Sequence, residues 1–404
     1  MSLTAAPTTP PAAPAMAPLS DPGPRVDGVE RIAVLRSNGI GDFVVAVPAL
    51  EALRAAYPDA RITYLGTHWH PELLEGRPGP WDDVVVVPPY PGVRGAEGGD
   101  VDREEVERFF EARRRERYDL AVQLHGGGGN SNPFLSALGA RVTAGARDVG
   151  APALDRWVPY FYWQHEVLRF LEVVGLVGAA PVGVEPCLAL TERDRSEGAQ
   201  ALAGLVRTST VDGGQGSPGA DLAGRVVTIH PGATDPRRRW PAASFAAVAR
   251  DLLARGAGVV VVGHGADDVA ASAEIVGALA SAPGGADGRV LDLVGRVSVR
   301  GMCGVLAASD LVVGNDSGPR HLAAALGTAT LGIYWSGNLI NAGPLLRRHH
   351  RVAVSFRTTC PRCGRAQVGA IAERCDHDDS FVADVPVGEV LPQALDLLRG
   401  GLYG

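Results

Sequence analysis

Short apolar runs of strand length recur along the chain, separated by segments whose apolar residues fall at helical spacing. Arg31–Arg36, Ile62–Leu65, Val84–Val87, Leu120–Leu124 and Arg141–Gly145 form a first series, interleaved with helical stretches such as Val101–Arg117. A second series starts at Val226–His230 and continues through Val259–Val262, Val290–Val294 and Leu311–Gly314. Its predicted helices are Ala242–Ala254, Val299–Ala308 and, last, Val385–Leu398. Strands alternating with helices build parallel sheets covered on both faces. The pattern therefore predicts an α/β protein of two doubly wound, Rossmann-like domains facing a central cleft, residues 30–200 and 225–384. The Gly-rich interruption at 201–224 is predicted to be the linker or a surface loop beside it. Residues 1–29, dominated by Ala, Pro and Thr, read as a disordered tail.

Composition narrows the functions this architecture can carry. With 404 residues and 46% hydrophobic content the chain can bury two cores. A net charge of −7 provides no global positive field, which argues against nucleic acid as a partner and allows at most peripheral membrane contact. All 38 cations are arginines. Lysine Schiff-base chemistry is thus excluded, and an arginine can stand where a related chain carries lysine. Five cysteines in this length point to a reducing, cytoplasmic compartment rather than a secreted disulfide scaffold. No apolar run approaches the ~18 residues of a membrane span.

Candidate chemistry collects where strands end. Leu311–Gly327 reads as a strand, the turn Asn315-Asp316-Ser317-Gly318-Pro319, and an Ala/Leu helix that Gly327 can end. Free backbone N–H groups at Ser317 and Gly318 would sit at a positive helix end, where a phosphate can approach, with His321 one turn on. The plain alternative is a βα turn capped by Asp316 or Ser317. Ser37-Asn38-Gly39-Ile40-Gly41-Asp42 is a second strand–loop–helix unit, in which Asp42 is either a capping residue or an exposed carboxylate at a dipole. Pro48 should kink the following helix or mark its first turn. His125, the run Gly126–Gly129 and Asn130 form another strand-end loop bordering the cleft, its glycines read as flexible. His165 and Glu166 open an apolar helix and suit a capped core element. Pro231–Pro241 carries Arg237, Arg238 and Arg239 before Trp240, either a solvated charge run or a phosphate site.

Three segments in series, RIAVLRSNGIGDFVVAVPALEALRAAYP, HPGATDPRRRWPAASFAAVARDL and ASDLVVGNDSGPRHLAAALGT, resemble glycosyltransferase family 9, the bacterial heptosyltransferases and their relatives. The similarity spans residues 30–390. It implies the two-domain fold called GT-B, with acceptor on the first domain, nucleotide-sugar on the second, and no catalytic metal or cofactor. Asp42 matches the family's proposed general base. Thr234, Arg238, Asp316, Ser317, Gly318 and His321 fall on donor-binding segments, with Arg238 where the family usually has a lysine on the diphosphate. Arg237 or Arg239 could take that role instead, and Asp267 or Asp268 would bind ribose. Asn38, Gly39, Gly41, His125 and Asn130 would line the acceptor side. In such folds the last helix, 385–404, can cross back to the first domain. Cys360, Cys363, Cys375 and His377 are zinc-ligand types, but free thiols in a surface loop are the expectation. The implied function is metal-independent, inverting sugar transfer from a nucleoside-diphosphate donor to a glycan or glycolipid acceptor, in the cytoplasm or at the inner membrane face. A nucleotide-sugar epimerase and a non-catalytic nucleotide-sugar-binding protein are the alternatives.

Overall fold

The computed structural model describes residues 22–95, 101–207, 221–281, 288–367 and 374–400, and over these spans the two strand series form two separate six-stranded parallel sheets. The first contains β1 (Arg31–Leu35), β2 (Arg61–Gly66), β3 (Asp83–Val86), β4 (Leu120–Gln123), β5 (Val142–Arg147) and β6 (Arg156–Pro159) in the order β3-β2-β1-β4-β5-β6. Its helices are α1 (Ile40–Ala56), α2 (His70–Leu74), α3 (Arg103–Arg115), α4 (Ser131–Ala137) and α5 (Glu166–Gly175). Then come α6 (Glu192–Leu202), β7 (Val226–His230), α7 (Ala242–Ala254), β8 (Gly258–Val261), α8 (Ala266–Ala280), β9 (Val290–Asp292), α9 (Val299–Ala307), β10 (Leu311–Asn315), α10 (Gly318–Ala325), β11 (Thr330–Trp335), α11 (Ser336–Ala342), β12 (His350–Ser355) and α12 (Val387–Leu398). The second sheet runs β12-β11-β10-β7-β8-β9. Each sheet thus repeats the doubly wound order, with its topological switch between β1 and β4 or between β7 and β10. Ile32 pairs with both Ile62 and Leu120, and Val312 with both Thr330 and Thr228, so the switch-point strands are fully hydrogen-bonded sheet centres.

Near-continuous apolar strands such as Val226–Ile229 are buried on both faces. One apolar layer, containing Phe134, Leu135 and Phe110, covers the outer face of the first sheet, and another, containing Trp240, Phe245 and Ile333, the outer face of the second. A third runs without a break between the sheets, from Phe43 and Leu50 through Phe170 to Val305 and Leu322.

That shared layer moves several expected boundaries. α6 packs on α9, and Leu188 N–H donates to the Ala325 carbonyl, so the chain has joined the second half before residue 200. The described part of 201–224 is therefore a loop within the second domain: Leu205 lies against Gly258, and Leu222 is buried. The rest of that loop, 208–220, falls outside the described residues. α12 does not cross back; Val390, Ala394 and Leu398 are buried in the outer core of the second sheet. Residues 22–29 are ordered onto the first domain, with Gly23 N–H donating to Gly175 and Val26 buried, because Tyr57 offers its hydroxyl to the Val26 N–H. The tail expected over 1–21 is outside the described residues. Pro48 is accommodated inside α1, which continues to Ala56. β6, β11 and β12 add strands that the two expected series did not include.

Candidate functional site

The segments Ser37–Asp42, His125–Asn130, Pro231–Pro241 and Asn315–Pro319 lie at the carboxyl ends of the switch-point strands, whereas Asp267 and Asp268 follow β8, His165 and Glu166 follow β6, and the cysteine cluster follows β12. β1 delivers Arg36, whose side chain is 3% exposed and stacks against Phe170, its guanidinium 5.0 Å from the ring centre. Its Nη2 donates to Asp42 Oδ1 at 2.6 Å and to Glu166 Oε2 at 2.8 Å, so two carboxylates share one guanidinium nitrogen. Asp42 is the third residue of α1 and its Oδ2 accepts the Gly39 N–H at 3.1 Å. It thus caps the helix from inside, yet remains 38% exposed, and two carboxylate oxygens have lone pairs to spare after two hydrogen bonds. Glu166, the first residue of α5, is 22% exposed, and Arg169 lies 3.5 Å away. Burial pushes the Glu166 carboxyl above its usual range; Arg36 opposes this, while Asp42 and Asp316 add to it.

Two residues past β4 stands His125, which is buried, and burial with the Arg36 charge lowers it to about 4. It is therefore a neutral ring whose Nδ1 accepts the Ser37 N–H. The glycines that follow are a built turn rather than a slack loop, with positive φ at Gly126 and Gly128. Asn130 precedes α4 as an exposed residue whose side chain makes no capping bond. Asn38 is half-buried and Gly39 exposed at the head of α1.

On the second sheet, β10 leads into Asp316, which is 4% exposed and does not cap α10. Its carboxylate instead takes Arg238 Nη1 at 3.2 Å, Asn338 Nδ2 at 3.0 Å and His321 Nε2 at 3.0 Å. Burial alone would raise Asp316, but the hydrogen bond with His321 and the charges of Arg238 and Arg320 outweigh it and hold the group down to about 2. His321 is lowered by burial and by Arg320, whose Nη2 sits 2.6 Å from Nδ1. A neutral imidazole that accepts at Nδ1 and donates from Nε2 satisfies both neighbours. Ser317 precedes the helix in extended backbone, and its hydroxyl bonds His230 Nδ1 at 2.8 Å rather than capping.

The arginine triplet sorts itself by partner. Arg237 is clamped by Asp235 through a two-nitrogen fork and lies over Phe381. Arg239 reaches the exposed Asp267 at 2.9 Å. Arg238 alone joins the Asp316–His321 group, which favours it over both neighbours as the candidate for an anion. Thr234 is exposed in the same loop. Asp268 is tied inward to His264 N–H and faces His230, so neither it nor Asp267 stands free.

The two half-sites touch. A Cβ on Gly41 would come 3.1 Å from the His321 ring, and one on Gly318 would come 3.1 Å from Ile40 Cβ. The heads of α1 and α10, one from each domain, therefore meet with their positive ends together, an approach that the two glycines ease because a side chain on either would crowd the opposite helix. The arrangement places carboxylates beside Arg36 on one side and an arginine, a neutral histidine and free N–H groups on the other. That combination can receive a proton and hold a polyanion in adjoining spaces. Arg36, Glu166, His230, Arg320 and Asn338 also belong to this site. Arg36 and His230 were read only as strand residues and Glu166 as part of a capped core helix, and Arg320 and Asn338 were given no role; a polar residue ending a buried strand, as at Arg36 and His230, was the available signal.

The sequence model of "Glycosyltransferase family 9 (heptosyltransferase)" matches residues 106–367, a span containing Arg238, Asp316 and His321 and starting after Asp42. Lipopolysaccharide heptosyltransferase 2 of Salmonella typhimurium is 27% identical over 310 residues, 75% of this chain and 82% of that one. Among solved structures, a family 9 glycosyl transferase from Veillonella parvula aligns with a TM-score of 0.68 at 20% identity, covering 92% of this chain and 97% of that one. An ADP-heptose lipopolysaccharide heptosyltransferase II from Escherichia coli aligns at 0.65 with 20% identity, covering 92% and 98%. These likenesses agree with the two-domain GT-B architecture read from the strand series.

Proposed function

The chain belongs to glycosyltransferase family 9, and from that premise we propose that it transfers a heptose or related sugar from a nucleoside diphosphate to a glycan or glycolipid with inversion at the anomeric carbon. The observation that carries this reading is the meeting of the Arg36–Asp42–Glu166 group with the Arg238–Asp316–His321 group across the touching helix heads. The acceptor hydroxyl oxygen attacks the anomeric carbon as the bond to the diphosphate breaks, its electron pair leaving on phosphate oxygen. The hydroxyl proton passes to Asp42. Arg238 and the N–H groups at the head of α10 take up the charge developing on the diphosphate. Asp316 already accepts from three donors and would repel phosphate, so its part is to aim Arg238 and His321.

The names of the relatives support ADP-heptose as the first donor to try and a lipopolysaccharide as the first acceptor. No described helix is long and apolar enough to cross a membrane, in keeping with peripheral action at the cytoplasmic face. Cations at the leaving group come from arginine and helix N-termini, so transfer should need no added magnesium or manganese. The test is incubation with ADP-heptose in EDTA, with and without acceptor, followed by the anomeric configuration of the product. Transfer with inversion is expected; a new sugar epimer without acceptor, binding without turnover, or rescue only by magnesium would each overturn the reading.

A further inference from the structure

Between β12 and α12 the chain runs from Phe356 to Pro386 without a helix or strand among its described residues. Loops of this length inside a compact domain are uncommon unless something else fixes them, since loops beyond ~12–15 residues rarely lack their own structure. Four side chains in this stretch converge. Cys360, Cys363, Cys375 and His377 each place a ligand atom within 4.8 Å of the others, and Cys360 Sγ stands 3.8 Å from His377 Nδ1. A tetrahedron built on Zn–S bonds of about 2.3 Å has edges of roughly 3.8 Å, so the four atoms need close by no more than about 1 Å to hold one ion.

The backbone is shaped for the same purpose. Cys360-Pro361-Arg362-Cys363-Gly364 forms a tight turn in which Gly364 N–H donates to the Cys360 carbonyl at 2.9 Å and Gly364 takes φ +72°, a left-handed value that glycine adopts without strain. The Arg362 and Cys363 N–H groups turn toward the Cys360 sulfur, and Thr359 pairs with Ala366 to close the hairpin. Two thiols are thereby aimed to one side of a knuckle, and Cys375 and His377 approach from a separate segment. A disulfide would need only two of these groups and would leave the histidine without a reason to be there.

We infer that Cys360, Cys363, Cys375 and His377 form a structural zinc site, closed by three thiolates and one imidazole, that pins this stretch against the arginine loop. The pinned segment carries direct contacts to that loop: Phe381 N–H donates to the Arg237 carbonyl at 2.7 Å, Ser380 Oγ to the Arg239 carbonyl at 2.6 Å, and Arg237 Nη1 to Gln367 Oε1 at 3.2 Å. Arg238 is thus flanked on both sides by residues that this stretch holds. A site closed by four protein ligands has no open position for substrate, so the ion braces and does not catalyse.

Elemental analysis of the full chain, purified without chelator, tests this independently of any activity. One zinc per chain is expected, released by titration of the thiols with a mercurial, reduced to background in Cys363→Ser, and retained in Cys187→Ser, whose thiol is exposed elsewhere. Cobalt(II) exchanged into the unaltered protein should give the intense visible bands of tetrahedral thiolate coordination, a readout that does not depend on a variant folding. Metal at background in fresh protein, a Cys360–Cys363 disulfide, iron in place of zinc, zinc retained in Cys363→Ser, or a weak six-coordinate cobalt spectrum would overturn the assignment.

Discussion

Asp42 and Asp194 occupy the same position in their helices and do the same local job, yet the two regions around them differ in the one property that separates support from chemistry. Each is the third residue of its helix, each returns an oxygen to the backbone N–H of the capping residue (Gly39 at 3.1 Å, Thr191 at 2.7 Å), and each pairs with arginine. Around Asp194 the partners are Arg77 at 2.8 Å, from the loop between α2 and β3, and Arg300 at 3.7 Å, from α9. Asp194 and Arg77 are 0% exposed, and the cluster ties the first half of the chain to the second. Around Asp42 the composition is inverted, with one arginine serving two carboxylates, and Asp42 is 38% exposed. A sealed cluster with an excess cation can only hold; an open one with an excess carboxylate can also accept a proton.

The largest expected effect comes from breaking the open cluster. Asp42→Asn keeps size and most of the capping bond and leaves Arg36 paired with Glu166, so the protein should stay folded while kcat falls ~10²–10⁴-fold. Donor affinity should barely change. Near-normal turnover in a stable variant would make Asp42 a capping residue and nothing more.

Asp194→Asn is the mirror experiment. Removing the charge leaves Arg77 and Arg300 buried without a counter-ion, which costs about 3–5 kcal/mol, read as a lower urea midpoint. The kcat of the protein that remains folded should be unaffected. An unchanged midpoint, or a kcat loss at full stability, would erase the contrast between the two regions.

Arg238→Ala should weaken binding of the nucleoside diphosphate by about 1.5–3 kcal/mol, the range for a hydrogen bond to a charged group. Arg239→Ala is the control: its partner Asp267 is 72% exposed, and exposed pairs contribute about 0–1 kcal/mol. Equal losses in the two would mean that the loop, rather than Arg238, reads the phosphate.

What could be read from the chain beforehand was set by locality. The central strands and the loops at their ends were visible because each depends on a few consecutive residues, while Asp42, Arg238 and His321 were picked out at those loops by the resemblance to the family. Glu166 was not, since its importance arises from Arg36, far away in sequence, and a glutamate opening an apolar helix resembles a dipole-complementing residue. Nor was the role of α6: its sequence is that of a charged surface helix, and the packing of Gly198 against Gly304 reveals which domain it joins. The alternative in which Asp316 or Ser317 caps α10 is not the arrangement adopted, because His230, Arg238 and Asn338, all distant in sequence, take those oxygens.

The smallest effect is also the most discriminating, because it acts within the open cluster without touching Asp42. Glu166 holds its proton to higher pH than an unfolded glutamate, chiefly because it is buried. The folded state then binds more protons than the unfolded one above the ordinary value of 4.5, so this contribution to stability is complete at low pH and is lost as pH rises through the raised value. Glu166→Gln removes that slope from a plot of stability against pH while keeping an oxygen for Arg36. It also removes a negative charge that competes with Asp42 for the same guanidinium nitrogen. Arg36 would then face Asp42 alone and hold its carboxylate more tightly, so kcat should fall, by far less than in Asp42→Asn. A purely supporting Glu166 would change the stability slope and leave kcat where it was.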